Sequence, residues 1–209
     1  MIHEAELLQS KGEEIPARAS VLSIEEIAWL VGLLASGDDK IRYPAFLLLR
    51  ERSLEHSDVY PFWDVFSSKL ASENSYQRSI GLMLLAINAR WDGGERISAA
   101  LDEYLALLKD DKPITVRQCV QSLAYILPSH PALAGRIADR LLSLDLLEIR
   151  DTMRKLVLVD VIDVLLLIRE TAPGDSIDAY VFAALSGDLL DAKLKKQILA
   201  RMGAPTRNK

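Results

Sequence analysis

The sequence predicts an all-α fold, an α-α superhelix (solenoid) of about five helical hairpins, and three observations carry that reading. Apolar residues recur at i, i+3, i+4 and i+7 along the chain, with no sustained period-2 alternation and no Asn-Gly or Asp-Gly turn joining two strands. Turn-forming residues return at a near-constant interval: Asp38, Asn74, Asp111, Asp145 and Asp188 stand, by subtraction, 36, 37, 34 and 43 apart, a period that marks a repeat array. The 209 residues are 50% hydrophobic and 26% charged with only 10 Gly and 8 Pro, enough apolar chain for a core and too little low-complexity sequence for disorder.

Residues 1–22, with Lys11, Gly12 and Pro16, read as a lead-in or a partial capping helix. Ser23 followed by Glu26 is a capping-box signature, in which each side chain satisfies a free amide of the first turn. A helix over about 24–35 follows, burying Ile27, Leu30 and Leu34, and Ser36-Gly37-Asp38 ends it. A second helix carries Ile41, Ala45, Leu48 and Leu49 to about residue 54, completing a hairpin. The same punctuation recurs at 72–74, 109–111, 143–145 and 186–188, while His56-Ser57-Asp58, Gly93-Gly94, Pro128-Ser129-His130-Pro131 and Pro173-Gly174 separate successive hairpins. Five hairpins result, near 24–54, 58–91, 95–127, 131–171 and 175–202, forming one repeat domain over 23–203, with 204–209 as a disordered tail.

Just after each turn an aliphatic residue and an Arg are followed three residues later by a small or apolar one. The instances are Ile41-Arg42 with Ala45, Val116-Arg117 with Val120, and Ile149-Arg150 with Met153, with weaker copies at Gln77-Arg78 with Gly81 and Leu194-Lys195 with Ile198. In these residues the chain resembles the HEAT and armadillo-like repeat family over about 24–202. The resemblance implies that the second helices line a concave surface that holds another macromolecule, so it implies binding before catalysis.

A single hairpin with apolar residues on more than one face must stack on its neighbours to bury them. The in-register cations Arg42, Arg78, Arg117, Arg150 and Lys195 either form a ladder facing an acidic partner or bond turn carboxylates such as Asp38, Asp111 and Asp145; the closeness of those acids favours the structural role. Arg50, Arg52, Arg90, Tyr125, Arg154 and Lys155 are expected to face solvent on second helices and contact a partner. Trp29, Trp63, Trp91, Tyr76, Tyr104 and Tyr125 are expected mostly in the core. Asp160, Asp163 and Glu170 share one face of the long fourth-repeat helix and are expected to form a solvated stripe. Lys193, Lys195, Lys196, Arg201, Arg207 and Lys209 read as the cation enrichment usual near a helix C-terminus on a terminal repeat.

Catalytic signals are weak. The three histidines, His3, His56 and His130, lie far apart, and the pairs His3-Glu4 and Glu55-His56 fall short of the several in-register His-Glu pairs that HEAT-type deoxyhypusine hydroxylases use, so no metal is expected. No Gly-x-Ser-x-Gly elbow occurs, no cofactor is called for, and Cys119, beside Val116, Val120 and Leu123, reads as a reduced, buried thiol. Trp91-Asp92 admits an alternative, a HEAT-like DNA glycosylase for alkylated bases. Residues 1–104 carry 10 Lys/Arg against 17 Asp/Glu, net −7, and 105–209 carry 15 against 13, net +2, which opposes a phosphate-gripping groove. A phycobilisome-lyase-like role would demand a chromophore that nothing in the sequence requires.

The acidic N-terminus lacks a secretory apolar stretch, and Asp160 and Asp163 interrupt the run Leu156 to Ile168, so no membrane span is expected. The expectation is therefore a cytoplasmic, non-enzymatic scaffold that binds another protein, not nucleic acid, with self-association through the apolar fourth helix as a further option.

Overall fold

The computed structural model describes residues 12–172 and 174–203. Within them the fold is all-α, with no strand among the described residues. The chain divides into two compact units, residues 1–104 and 105–209. Residues 1–11 and the expected tail at 204–209 lie outside the described residues.

The first unit opens with α1 (Glu14–Ser20), within the expected lead-in segment, and continues through α2 (Ile24–Leu33) and α3 (Asp39–Glu55). A 3-10 turn, Ser57–Phe62, leads into α4 (Trp63–Ser68), and α5 (Ser75–Asn88) completes the second hairpin. The capping box is formed: the Glu26 amide donates to Ser23 Oγ at 3.2 Å and the Ser23 amide donates to Glu26 Oε2 at 2.8 Å. Ile27, Leu30, Leu34, Ala45, Leu48 and Leu49 are all buried, as their 3.6-residue spacing predicts. Across the α3–α5 contact, buried Asn88 donates through Nδ2 to Ser53 Oγ at 3.0 Å, while Ser53 Oγ donates to the Leu49 carbonyl at 2.7 Å.

Period 36 has a direct structural counterpart in the two turns of this unit. The Asp38 amide donates to Ser36 Oγ, the Lys40 amide to Asp38 Oδ1, and Arg42 Nη1 to the Ser36 carbonyl, at 3.1, 2.9 and 3.0 Å. Thirty-six residues on, the Asn74 amide donates to Ser72 Oγ, the Tyr76 amide to Asn74 Oδ1, and Arg78 Nη1 to the Ser72 carbonyl, at 3.2, 2.9 and 2.8 Å. Each turn thus satisfies an opening amide of the next helix, and an Arg of that helix reaches back to the turn's own serine carbonyl.

α6 (Glu95–Ala106) ends just past the unit boundary. The second unit holds α7 (Pro113–Ile126), α8 (Ala134–Leu142), α9 (Asp151–Thr171), α10 (Asp175–Ser186) and α11 (Ala192–Met202). Its core includes Val116, Val120 and Leu123 of α7 and Val157, Val161, Ile162 and Leu165 of α9, the two helices that pack most extensively here. The turns depart from the expected register. Asp110, not Asp111, accepts the Lys112 amide at 2.8 Å, and Pro113 then opens α7, where its missing N–H costs nothing. Asp145 caps a 3-10 turn at Leu146–Glu148, so α9 begins at Asp151, two residues beyond Ile149. Asp191, not Asp188, caps the last helix, its Oδ1 accepting the Leu194 amide at 2.9 Å.

Candidate functional site

In the first unit, α3 and the first turn of α5 carry exposed aromatic side chains beside a buried cation. Tyr43 and Tyr76 are 56% and 62% exposed, although residues of this size are normally buried. The Arg42 guanidinium lies 5.0 Å from the centroid of the Tyr76 ring, and Arg42 Nη2 pairs with Asp39 at 2.7 Å. These bonds hold the buried Arg42 side chain in place, so it orients Tyr76 from beneath. Lys69, at the end of α4, donates to Gln77 Oε1, and Gln77 Nε2 donates to the Leu34 carbonyl at 2.7 Å. Burial, reinforced by the nearby Arg42 charge, lowers the Lys69 pKa below its ordinary value. Gly81 of α5 permits this closeness, because a Cβ there would sit 2.7 Å from the Phe66 carbonyl oxygen and 2.8 Å from Lys69 Cβ. Nothing in the sequence singles out Tyr43, and Tyr76 belongs to a group of aromatics expected mostly in the core; Trp63 and Tyr104 are buried as expected.

The six residues expected to face a partner divide sharply. Arg50 is exposed on α3, and Tyr125 is 49% exposed on α7. Arg90 is exposed but caps the end of α3 by donating to the Leu54 carbonyl, with its guanidinium 5.4 Å from the Trp91 ring. Arg52 corrects the expectation: it is buried, donates to the Ala19 and Ser20 carbonyls at 3.1 and 2.6 Å, and pairs with Asp58 at 2.6 Å. It fastens the end of α1 to α3 rather than facing solvent. Arg154 is half-buried and bonds the Leu146, Leu147 and Ile149 carbonyls at 2.9–3.0 Å and Asp151 at 2.6 Å. Lys155 is half-buried and pairs with Asp191 at 2.6 Å, joining α9 to the start of α11.

Three of the five in-register cations serve the turns. Arg42 and Arg78 bond turn carbonyls, and Lys195 donates to the Gly187 carbonyl at 2.8 Å. Arg117 instead reaches Asp160 on α9 at 2.6 Å, and Gln121 donates to the same carboxylate at 2.9 Å. Asp160 is therefore 7% exposed and bridged, not part of a solvated stripe, whereas Asp163 is exposed and pairs with Arg201. Lys193, Lys195 and Lys196 fall in the first turns of α11, so among the described members of that group the C-terminal helix-dipole account applies to Arg201 alone, Arg207 and Lys209 lying outside the described residues.

Trp91 and Asp92 are committed internally. Trp91 Nε1 donates to the Ser53 carbonyl at 2.8 Å. Asp92 accepts the Tyr60 hydroxyl on Oδ1 at 2.8 Å and the Ile97 amide on Oδ2 at 2.9 Å, capping α6. Burial pushes the Asp92 pKa up, but bonds from Ile97, Tyr60, Arg96 and Gly94 outweigh it and leave the carboxyl below its usual range. Cys119 is fully buried, and burial, with the Asp110 charge adding, pushes its thiol far above the ordinary value. Among the described residues no group of three or more His, Cys, Asp or Glu side chains gathers in a metal-binding arrangement, and no helix is long and apolar enough to cross a membrane.

No protein-family model matches the chain, and no curated protein sequence matches it.

Proposed function

We propose that the chain is a non-enzymatic, HEAT-like scaffold that binds another protein through the exposed face of its second helices, centred on α3 and α5. The observation that carries this reading is the pairing of exposed Tyr43 and Tyr76 with the anchored Arg42. Tyr and Arg are enriched at interface hot spots, Tyr because its rigid ring buries a large area with a polar end and Arg because its guanidinium pairs a packing surface with five donors. Arg50, exposed on the same helix, supplies a cation whose complement on the partner is acidic. Arg52, Arg154 and Lys155 leave the partner-facing set, since each is engaged within its own unit.

The test is co-purification from source-cell extract of the tagged chain beside a Tyr43→Ser/Tyr76→Ser/Arg50→Glu variant. A stoichiometric protein partner should bind the parent and lose about 30-fold or more in affinity with the variant, the scale of one hot spot. The melting temperature should stay unchanged, because all three side chains are exposed. Equal retention by parent and variant refutes the reading. Nucleic acid co-purifying and leaving with salt would turn attention to base-release assays.

A further inference from the structure

The last helix of the second unit, α11, is held by little apolar burial. Of its 11 residues only Ile198 is buried, with Leu194 and Met202 half-buried four residues to either side. By comparison α7 buries seven of 14 residues and α9 nine of 21. Leu190, buried just ahead of the cap residue Asp191, extends the stripe by one turn. The helical preference of α11 is weak as well. Eleven residues are too few for a helix to persist alone in water, and Lys193, Lys195 and Lys196 place positive charge at the positive end of the dipole. Docking on α9 is therefore what keeps α11 helical.

Polar contacts fix how it docks. At the start of α11, Lys155 Nζ donates to Asp191 Oδ2 at 2.6 Å; towards its end Arg201 pairs with Asp163, and Arg169 Nη1 donates to the Met202 carbonyl at 3.2 Å. The two helices thus run parallel. Ile162 and Leu166, both buried, lie within about 20° of Lys155 around α9, on the strip that α11 covers. All four side chains of the two ion pairs are roughly half exposed, and pairs of that kind are weak and screened by salt.

We propose that α11 is a salt-gated latch: it undocks from α9 and unravels while α7 and α9 stay folded, uncovering Ile162 and Leu166, and ionic strength sets the fraction undocked. Local opening of this kind belongs to elements with few buried apolar contacts and exposed ion pairs.

Hydrogen exchange of the full chain, read by mass spectrometry in about 50 mM and about 500 mM sodium chloride, tests the latch. Peptides from α11 should exchange about tenfold faster or more than those from α7 and α9. Raising the salt should speed α11 about two- to fivefold relative to those helices, the scale of losing two exposed pairs, and the ratio removes any effect of salt on the exchange chemistry. Arg201→Glu, which sets two carboxylates against each other, should speed α11 about fivefold at low salt, and adding Asp163→Lys should recover most of the parent rate. In Leu166→Cys, a maleimide should modify position 166 faster at high salt while the buried Cys119 stays unmodified. Ile162→Cys replaces that variant if it loses the parent's helical circular dichroism. The proposal is overturned if α11 exchanges in step with α7 and α9, if its rate ignores salt or Arg201→Glu, or if the introduced thiol stays silent at high salt.

Discussion

Arg52→Met removes the guanidinium and keeps most of the side-chain volume, so it isolates the polar contribution of a residue that is 9% exposed. Five bonds disappear. Two go to the Ala19 and Ser20 carbonyls at the end of α1, and three reach Asp58, two from Nε at 3.1 and 3.2 Å and one from Nη2 at 2.6 Å. Breaking a buried ion pair by deleting one partner costs about 3–5 kcal/mol because the other charge is left behind. The Asp58 side chain is 29% exposed, so water recovers part of that loss and about 2–4 kcal/mol remains. For a chain of this size that corresponds to a fall of about 5–15 °C in melting temperature. Urea titration of the full chain, followed by circular dichroism, measures it directly. Arg50→Met, two residues earlier and exposed, should change stability by less than about 0.5 kcal/mol. In a double-mutant cycle, Arg52→Met with Asp58→Asn should show a coupling of about 1 kcal/mol or more. If Arg52→Met lies within about 0.5 kcal/mol of the parent, the assignment of Arg52 as the fastening between α1 and α3 is wrong.

Gly81→Ala should destabilise by about 1–3 kcal/mol, since its Cβ meets the Phe66 carbonyl oxygen and the Lys69 Cβ below 3.0 Å. By contrast Gly32→Ala, on α2 with open space at its Cβ, should stabilise by about 0.5–1 kcal/mol; equal effects of the two in urea melts would refute the close approach of α4 and α5. Asp160→Asn should cost about 2–4 kcal/mol by stranding Arg117, and a neutral result would deny the bridge between α7 and α9. Asp92 has its folded pKa depressed below 3.8, so the stability it confers is full above that value and is lost as pH falls through the folded pKa. The stability gap between the parent and Asp92→Asn should therefore be constant from pH 7 to about pH 5 and shrink on further acidification. A gap that widens there, measured by urea melts across pH, would contradict the hydrogen-bonded carboxylate.

Several features of the fold were legible because they are local. The Ser23–Glu26 box, the apolar stripe Ile27, Leu30 and Leu34, and the Ser36/Asp38 and Ser72/Asn74 turns each depend on residues within one or two helical turns of one another. Periodicity reports which residues a helix must bury, so the expected helical segments lie close to the observed helices. Register in the second unit was less legible because Asp110 and Asp111 are chemically equivalent caps, and the Pro113 that settles the choice acts through geometry rather than residue type.

The candidate surface depended on contacts between helices. Arg50 and Arg52 look alike in sequence, but two residues on a helix point about 200° apart. Only the presence of α1, whose carbonyls lie 32 and 33 residues away from Arg52, makes one of them a buried fastening and leaves the other in solvent. Asp160 likewise belonged to a plausible solvated stripe until Arg117, 43 residues earlier, reached it across α7 and α9. Tyr76 is the converse case, a large aromatic that composition assigns inside and that packing leaves outside, stacked on Arg42. The sequence by itself determined the helices, their turns and most of their buried stripes, because hydrogen bonding and amphipathicity act over a few residues. The tertiary structure alone decided which polar and aromatic side chains remain available, because burial is set by whichever distant helix covers that face.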